Sequence, residues 1–412
     1  MDNVGILRSL YDAALTAAFP DGKFASCLPA PPKGRTIVLG AGKASARMAQ
    51  AFEAAWPYPC EGLVVTRYGH AAATQQIEIV EAAHPVPDKA GFDAAERILE
   101  RASNAGPDDL VICLISGGAS ALLSLPAAGI SLADKQSVTK VLLRSGAPIH
   151  EMNQVRKSLS RIKGGRLALA AAPARVVTYV ISDVPGDDPA SIGSGPSMLE
   201  QQNADKVFSI LERYKIEIST SMKDAIAENC RLPYQLTEND VCVLATPMMA
   251  LKAAELRAQE LGLGTLILGD AIEGEAREVA KAFAGIARSV SDHNVPATKP
   301  CVLLSGGETT VTVRGNGRGG RNTEFLLALQ LALSDLPNVA ALACDTDGID
   351  GVEDNAGAWF DNGGLSPATL ALDAPSFLAD NDAYSYFSKL GQLIMTGPTL
   401  TNVNDFRAIL IR

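Results

Sequence analysis

Three arginines stand among glycines in one short stretch of the chain, at Arg314, Arg318 and Arg321. The glycines around them are Gly315, Gly317, Gly319 and Gly320. Glycines let backbone N–H groups approach a ligand closely, and a helix that begins after such a loop adds partial positive charge. Guanidinium groups form bidentate hydrogen bonds to carboxylate or phosphate oxygens. The spacing therefore predicts a loop that binds an anion, between a strand near residues 302–307 and a helix over 322–334.

A second cation lies in the segment GAGKAS, residues 40–45, after an apolar run. Lys43 lacks the preceding glycines of a Walker A loop, and Ser45 stands where a dinucleotide fingerprint has its third glycine. A lysine is unfavourable at the start of a helix, because this end of a helix favours anions. A bound anion would remove that penalty, so we predict that Lys43 contacts a ligand and that Gly40 and Gly42 let it approach. The alternative is a solvated surface charge.

Each half of the chain contains a Ser-Gly-Gly sequence after an apolar run. Paired glycines after a buried strand allow a phosphate to approach, although they also form tight turns. The presence of the sequence in both halves favours nucleotide phosphates. The predicted contacts are Ser116, Gly117, Gly118, Ser305, Gly306, Gly307 and Glu308, together with Gly319 and Gly320 of the arginine loop.

Two groups of aspartates also follow apolar runs, which raises the question of a metal ion. They are Asp183, Asp187 and Asp188 in one group and Asp345, Asp347 and Asp350 in the other. Carboxylates beside phosphate-binding loops suit Mg²⁺, which takes one or two carboxylates with phosphate oxygens and water. We predict Asp183, Asp345 and Asp347 as metal ligands. Aspartates beside glycine are as commonly turn formers, and this alternative stays open for each of them.

The composition excludes several classes of protein. The net charge of −10 over 412 residues argues against broad nucleic-acid binding, which needs a basic surface. Seven cysteines without C-x-x-C spacing and only four histidines support neither a disulfide framework nor a Cys/His zinc site. The first residues do not form a signal peptide, and no apolar run approaches membrane-spanning length. We therefore expect a cytoplasmic protein with no membrane partner.

Apolar runs that alternate with helical patterns predict an α/β fold with a largely parallel sheet. The predicted strands are 36–40, 63–66, 77–80, 110–115, 176–181, 241–245, 265–268, 302–307, 309–313 and 339–344. We expect a helix over 150–170 with a solvated basic face, and short helices in the residues after 351. The polar stretch 200–240 suggests a boundary between domains 1–235 and 236–412.

The arginine loop has a rival interpretation, because Gly315-x-Gly317-x-x-Gly320 matches the dinucleotide fingerprint. Asp345 could then bind a ribose hydroxyl. The spacing from Gly315 to Asp345 is longer than usual, and the preceding segment is polar where a buried central strand would be apolar. A nucleotide-dependent oxidoreductase is therefore the alternative function.

With these motifs in view, the chain resembles the glycerate 2-kinase family, whose C-terminal part is the MOFRL domain and whose members are often labelled hydroxypyruvate reductases. The segments that carry the resemblance are GAGKAS, ISGGASAL, HEMNQVRKSLSRIKGG, ISDVPGDDPASIGSGP, LSGGETTVTVRGNGRGGRNTE, DTDGIDG and GPTLTNVND. The resemblance implies a Rossmann-like N-terminal domain, a smaller α/β C-terminal domain and an active site in the interdomain cleft.

The implied reaction is the ATP-dependent phosphorylation of D-glycerate at its 2-hydroxyl, with Mg²⁺ or another divalent cation. The functional lysine of the family matches Lys43, and its functional arginine matches Arg321. We expect both cations to meet the transferring phosphoryl group or the glycerate carboxylate, and Asp183 to bind the metal. Alternatively, Asp183 or Asp187 orients the 2-hydroxyl. A homodimer is compatible with the resemblance. The alternative remains an NAD(P)H-dependent hydroxypyruvate reductase.

Overall fold

The computed structural model describes residues 1–231, 239–364 and 372–412. It divides the chain into two compact units. The central unit is Pro20–Leu244, and the terminal unit combines Met1–Phe19 with Ala245–Arg412. Our sequence-based division at 235/236 differs in two respects, since the central unit extends to Leu244 and the first nineteen residues belong with the second half of the chain. Their helix buries its apolar face there, and amphipathicity alone does not reveal which sheet a helix covers.

The strands alternate with helices through most of the chain. The strands are β1 (Thr36–Ala41), β2 (Glu61–Arg67), β3 (Ile77–Ala82), β4 (Leu110–Ser116), β5 (Arg175–Ile181), β6 (Asn239–Ala245), β7 (Gly264–Gly269), β8 (Gly274–Glu275), β9 (Cys301–Gly307), β10 (Thr309–Thr310), β11 (Val339–Asp345), β12 (Gly357–Asp361), β13 (Leu393–Ile394) and β14 (Asp405–Ile411). The α-helices are α1 (Asn3–Ala18), α2 (Ser45–Ala55), α3 (Lys89–Ser103), α4 (Ala119–Leu122), α5 (Leu132–Arg144), α6 (Ile149–Ser158), α7 (Arg166–Ala171), α8 (Ala204–Arg213), α9 (Thr220–Asn229), α10 (Pro247–Glu260), α11 (Ala276–His293), α12 (Arg321–Ala332), α13 (Ala374–Ala379) and α14 (Ala383–Lys389).

The central unit is built on one six-stranded sheet in the order β3-β2-β1-β4-β5-β6. Neighbouring strands from β3 through β5 are parallel, as the continuous apolar runs predicted. β1 and β4 are buried along their whole length, which a central parallel strand requires. This is the strand order of doubly wound nucleotide-binding folds, in which the ligand crevice opens where the order reverses. Here that point lies between the carboxyl ends of β1 and β4.

The expected helix over 150–170 is interrupted. α6 ends at Ser158, and α7 begins only at Arg166. Gly164 and Gly165 between them have positive φ, and a Cβ at Gly165 would lie 2.2 Å from Leu199 Cα. The helix thus ends well before the two glycines, which let the chain pass close to the 199 segment.

The terminal unit has a mixed six-stranded sheet in the order β13-β12-β11-β14-β9-β7. β14 is antiparallel to both β11 and β9, so the last residues of β9 and β11 and the first residue of β14 share one edge. We predicted only short helices after residue 351, and this was wrong for β12, β13 and β14. β14 is short and buried on both faces, and a run of this kind lacks the alternation that marks a half-exposed strand.

The arginine loop follows a shorter strand than we predicted. β10 covers only two residues and pairs with β8 outside the main sheet. The predicted strand 309–313 ends early because Thr312 donates to the carboxylate of Glu275 from its backbone nitrogen and its hydroxyl. Residues 311–320 form no regular element before α12 begins.

Helix α1 joins the start of the chain to the terminal sheet. It buries Ile6, Leu7, Leu10 and Tyr11, and the hydroxyl of Tyr11 donates to the backbone oxygen of Asp345, 2.9 Å away. The described residues contain no helix that is both long enough and apolar enough to cross a membrane.

Candidate active site

The GAGKAS segment is held against the end of β4. Ser116 Oγ accepts a hydrogen bond from the backbone nitrogen of Ala44 at 3.0 Å, and Ser45 Oγ donates to Leu114 O at 3.1 Å. Gly42 makes this approach possible, since its φ is +138° and a Cβ would lie 2.1 Å from Ser116 Oγ. The predicted contacts around Gly40 and Ser116 are therefore brought together at the crevice of the parallel sheet.

Lys43 lies at the same crevice. Its backbone nitrogen donates to Gly117 O at 2.8 Å. A Cβ at Gly118 would lie 3.2 Å from Lys43 Cγ and 3.1 Å from His84 Nε2. Lys43 and His84 thus lie beside Gly118, and two side chains that can carry positive charge next to a glycine are a suitable arrangement for binding phosphate oxygens.

The first group of aspartates follows β5, two strands from β1. Asp183 is half-buried. Asp188 forms a turn, because its carboxylate accepts from Ala190 N at 3.1 Å and from Ser191 Oγ at 2.7 Å. Asp187 has φ of +54° and one buried carboxylate oxygen without a hydrogen-bond partner. The turn-forming alternative therefore holds for Asp188, and the functional role of Asp183 stays a prediction.

Arg321, the first residue of α12, contacts three carboxylates. Its Nε donates to Asp405 at 2.8 Å, its Nη1 to Glu308 at 2.7 Å and its Nη2 to Asp345 at 2.8 Å. The side chains of Asp405 and Asp345 are 0% and 4% exposed, whereas that of Glu308 is 55% exposed. Burial by itself would lower the pKa of Arg321, but the three carboxylates outweigh it and hold the pKa well above its ordinary value.

The first turn of α12 binds a carboxylate of the protein itself, and the anion-binding role of the arginine loop stays a prediction. Asp350 accepts from the backbone nitrogens of Asn322 and Thr323, both at 2.9 Å. Its carboxylate therefore occupies the position at which a helix attracts an anion. Gly320 leaves room for it, since a Cβ there would lie 2.3 Å from Asp350 Oδ1. Burial raises the pKa of Asp350.

Asp345 and Asp347 also shape their own turn. Asp345 Oδ1 accepts from Asp347 N at 3.0 Å, and Asp347 Oδ1 accepts from Ile349 N at 2.9 Å. Within the described ranges, no three His, Cys, Asp or Glu side chains are grouped so that they could hold a metal ion. Both aspartates are thus turn formers, and their role as metal ligands stays a prediction.

The second Ser-Gly-Gly sequence is part of a strand and not of a turn. Ser305, Gly306 and Gly307 are buried residues of β9 that pair with β14. A Cβ at Gly307 would lie 2.2 Å from Ile272 N. The glycines therefore make room for the 270–272 segment, and their assignment to nucleotide phosphates stays a prediction.

The remaining arginines have different surroundings. Arg318 is paired with Glu353, and its guanidinium lies 4.2 Å from the centre of the Tyr384 ring. Arg314 is exposed, and its backbone nitrogen donates to Asn381 Oδ1 at 2.8 Å. The loop borders a groove of about 260 Å³ within the terminal unit. The groove is lined in part by Thr309, Val311, Gly319, Gly320 and Arg321.

Comparison with known proteins shows which family the chain belongs to. Residues 6–227 match a family described as "Domain of unknown function (DUF4147)", and residues 301–405 match the MOFRL family. A D-glycerate 2-kinase of Thermotoga maritima is 39% identical, with 95% of this chain and 94% of that protein covered. A crystal structure of glycerate kinase from Thermotoga maritima superposes with a TM-score of 0.89 at 38% identity, covering 99% of each chain. The chain belongs to the glycerate 2-kinase family.

The resemblance drawn from the motifs is thereby confirmed, as is the α/β fold class. Some relatives of this chain carry a different name. A protein of Agrobacterium vitis named "Putative hydroxypyruvate reductase" is 50% identical, with 98% of this chain and 94% of that protein covered. The glycine pattern that suggested a reductase follows β10, which lies outside the main sheet, so it lacks the strand–turn–helix setting of a dinucleotide fingerprint.

The contacts of Asp405 near Arg321 were not predicted from the sequence. Asp405, the first residue of β14, binds Arg321, and it also pairs with the fully buried Arg407. Asn322 Nδ2 donates to the same carboxylate at 2.8 Å. Asp405 ends the motif GPTLTNVND, but nothing in the spacing indicated that a buried strand begins there.

Our expectation of a solvated basic face over 150–162 holds for His150 and Arg161, which are exposed, but was wrong for Lys157, which is buried. Lys163 and Arg166, which follow this range, are buried as well. Lys157 pairs with Glu200, and Arg166 donates to the backbone oxygens of Lys163 and Asn229. Helical periodicity placed Lys157 opposite the apolar positions, but its partner Glu200 lies 43 positions away along the chain, and no local pattern reveals such a contact.

Proposed function

We propose that this protein transfers a phosphoryl group from ATP to the 2-hydroxyl of D-glycerate, giving 2-phosphoglycerate and ADP. The observation that carries the proposal is the similarity of nearly the whole chain to a D-glycerate 2-kinase. In the reaction, the hydroxyl oxygen attacks the γ-phosphorus, the bond between this phosphorus and the bridging oxygen of ADP breaks, and the hydroxyl loses its proton. Such a transfer depends on positioning and on neutralising negative charge.

Lys43 and Arg321 are assigned to the anionic groups of this reaction. Arg321 keeps its charge at every relevant pH because three carboxylates raise its pKa. Two of those carboxylates are buried, while Glu308 is more than half exposed. We propose that Glu308 is the partner that gives way when a phosphoryl or carboxylate group binds, because exposed ion pairs contribute little stability.

The nucleotide is assigned to the loops at the crevice of the central sheet, with Gly40, Gly42 and Ser116–Gly118 as phosphate contacts. The close approach of Gly42 to Ser116 supports this assignment, since it brings both loops together at the carboxyl ends of β1 and β4. Ser305, Gly306, Gly307, Glu308, Gly319 and Gly320 are kept as proposed nucleotide contacts of the terminal unit.

A divalent cation would neutralise charge on the phosphates. Mg²⁺ bound to a nucleotide needs only one or two carboxylates, and these have to lie near the phosphates. Asp183, Asp345 and Asp347 supply oxygen donors of this type, and Asp183 could instead accept the proton of the 2-hydroxyl. The half-buried position of Asp183 after β5 is compatible with either role.

The proposal is tested by incubating the protein with ATP, Mg²⁺ and D-glycerate and identifying the product by NMR. We expect ADP and 2-phosphoglycerate, with no product when Mg²⁺ is withheld. Formation of 3-phosphoglycerate would contradict the regiochemistry, and the absence of any phosphorylated product would contradict the kinase. Oxidation of NADPH by hydroxypyruvate, without ATP, would support the reductase alternative.

Variants test the two cations. We expect Lys43→Ala and Arg321→Ala each to lower kcat by on the order of 10³-fold or more, the size expected for a cation that stabilises the transition state. Lys33→Ala is the control, since Lys33 is an exposed residue of the same unit as Lys43. Near wild-type kcat in either active-site variant at saturating substrate would show that the assignment is wrong.

A further inference from the structure

A cluster of three cations that has no part in the proposed assignments lies inside the central unit. Lys135 is in the first turn of α5, Arg156 is in the last turn of α6, and Lys163 is in the segment before α7. α5 and α6 share one apolar core, in which Val138 and Leu142 pack with Val155. Val138 is one turn after Lys135, so Lys135 points from α5 to the same side.

Burial distinguishes this cluster from a surface patch. Lys135 is 5% exposed and Lys163 is 0% exposed. Lys163 Nζ donates to Ser120 O at 2.7 Å and to Leu123 O at 2.6 Å. The Nζ atom of Lys135 is completely buried and has no hydrogen-bond partner. A buried ammonium group without a hydrogen-bond partner is energetically unfavourable. The Nζ atom of Lys135 therefore requires a hydrogen-bond acceptor.

No carboxylate compensates the cluster among the side chains that the structure describes. The acidic residues of α5 and α6 are engaged elsewhere, since Asp134 caps its own helix and Glu151 binds Arg213 and Tyr214. Burial lowers the pKa of Lys163 well below its ordinary value, and the charges of Lys135 and Arg156 lower it further. Burial also lowers the pKa of Lys135 to about 7, with Arg156 contributing. The three cations are therefore close enough to repel one another.

We propose that Lys135, Arg156 and Lys163 form a binding site for an oxyanion of the phosphate class. A buried cluster of like charges is stable only when a counter-ion or deprotonation removes the repulsion. A phosphate offers two negative charges and several oxygens in a tetrahedral arrangement, which suits three donors that arrive from three segments. A single carboxylate offers one charge and two oxygens, and leaves more of the cluster uncompensated.

The site is connected to the loop that follows β4. The two carbonyls that Lys163 contacts belong to α4 and the residue after it. Ser120 Oγ lies 3.0 Å from Ser194 Oγ, which in turn donates to the buried Asn153 at 3.2 Å. The phosphate could thus belong to a nucleotide bound at that loop or to a separate ion. The inference does not depend on the proposed reaction, because either source satisfies the same donors.

Binding of inorganic phosphate to the intact protein tests the proposal. We expect calorimetry to detect phosphate binding and the Tm to rise with phosphate concentration, because a ligand of the folded state stabilises it. Lys135→Met and Arg156→Met should each weaken phosphate binding by at least about tenfold, the effect of losing one charge-assisted hydrogen bond. Lys135→Met keeps the length and apolar stem of the side chain, so the fold is preserved.

Lys140→Met is the matched control, because Lys140 is an exposed lysine of the same helix. Equal phosphate affinity in the Lys135 and Lys140 variants would overturn the proposal, as would a Tm rise equal to that in sodium chloride of the same ionic strength. Acetate that binds as tightly as phosphate would overturn the assigned class of ligand.

A parallel titration with ATP identifies the source of the phosphate group. Weaker ATP binding in Lys135→Met indicates the nucleotide, and unchanged ATP binding indicates a separate ion. Phosphate binding in a protein that shows no kinase activity would leave this inference standing.

Discussion

Arg321 has a structural role as well as the proposed catalytic one. It neutralises Asp405 and Asp345, which are almost completely buried. Removing one partner of a buried ion pair leaves an uncompensated charge and costs about 3–5 kcal/mol. We therefore expect Arg321→Ala to lower the free energy of unfolding by about that amount in urea denaturation. A loss of activity in this variant has to be interpreted together with its stability.

Arg318 provides the comparison within the same loop. Its side chain is 58% exposed, and exposed pairs of this kind contribute about 0–1 kcal/mol. Arg318→Ala should therefore be close to wild type in urea. Equal midpoints for the two variants would show that the buried carboxylates near Arg321 do not need its charge.

The sequence indicated only in part that Arg321 is the important arginine of the loop. The position of Arg321 at the start of a predicted helix singled it out, and the structure places it beside Asp345, one of the aspartates that the sequence had also indicated. Its contact with Asp405 spans 84 positions of the chain. Contacts of this kind arise from sheet order, which no local pattern encodes.

At the scale of elements, the start of α12 depends on a glycine. A Cβ at Gly320 would lie 2.3 Å from Asp350 Oδ1 and 2.5 Å from the backbone carbon of Asp350. Gly320→Ala should therefore displace the capping carboxylate and lower the free energy of unfolding by about 1–3 kcal/mol, as overpacking does. Chemical denaturation of the purified variant measures this.

Gly285→Ala is the opposite control. Gly285 lies in α11, is exposed and would have no atom within 4 Å of an added Cβ. Alanine is the better helix former by about 0.5–1 kcal/mol, so this variant should be more stable than wild type. Destabilisation by both substitutions, or by neither, would contradict the account of Gly320.

Some helices and strands could be predicted from the sequence and others could not, and the difference has a physical reason. The helix predicted over 322–334 and the apolar strands of the parallel sheet lie close to their observed bounds. β14 and the break at 159–165 were missed, because both depend on partners far along the chain. β14 is buried between β9 and β11, and Gly165 is required by its contact with Leu199.

At the scale of the whole molecule, the terminal unit is discontinuous in sequence. Its first part, Met1–Phe19, is separated from the rest by the entire central unit. α1 buries six side chains, Ile6, Leu7, Leu10, Tyr11, Ala14 and Ala18. Each large apolar side chain contributes about 1.5–3 kcal/mol on burial, so the sum is comparable with the total stability of a domain, about 5–15 kcal/mol.

Deletion of residues 1–19 should therefore unfold the terminal unit and leave the central unit folded. We expect calorimetry of the shortened protein to lose one thermal transition and keep the other. Tyr11→Phe is the milder comparison, since it removes only the hydrogen bond to Asp345 O and should cost about 1 kcal/mol. Two transitions at wild-type temperatures in the deletion variant would contradict this role of α1.

The order of the strands in the terminal sheet has a consequence for synthesis. β14 lies between β11 and β9, yet it is the last of the strands to leave the ribosome. It begins with Asp405, which holds Arg321 in place. The sheet therefore stays open at its centre, and Arg321 stays without Asp405, until translation has passed β14. A nascent chain cannot assemble this part of its site early, and a product of premature termination cannot assemble it at all.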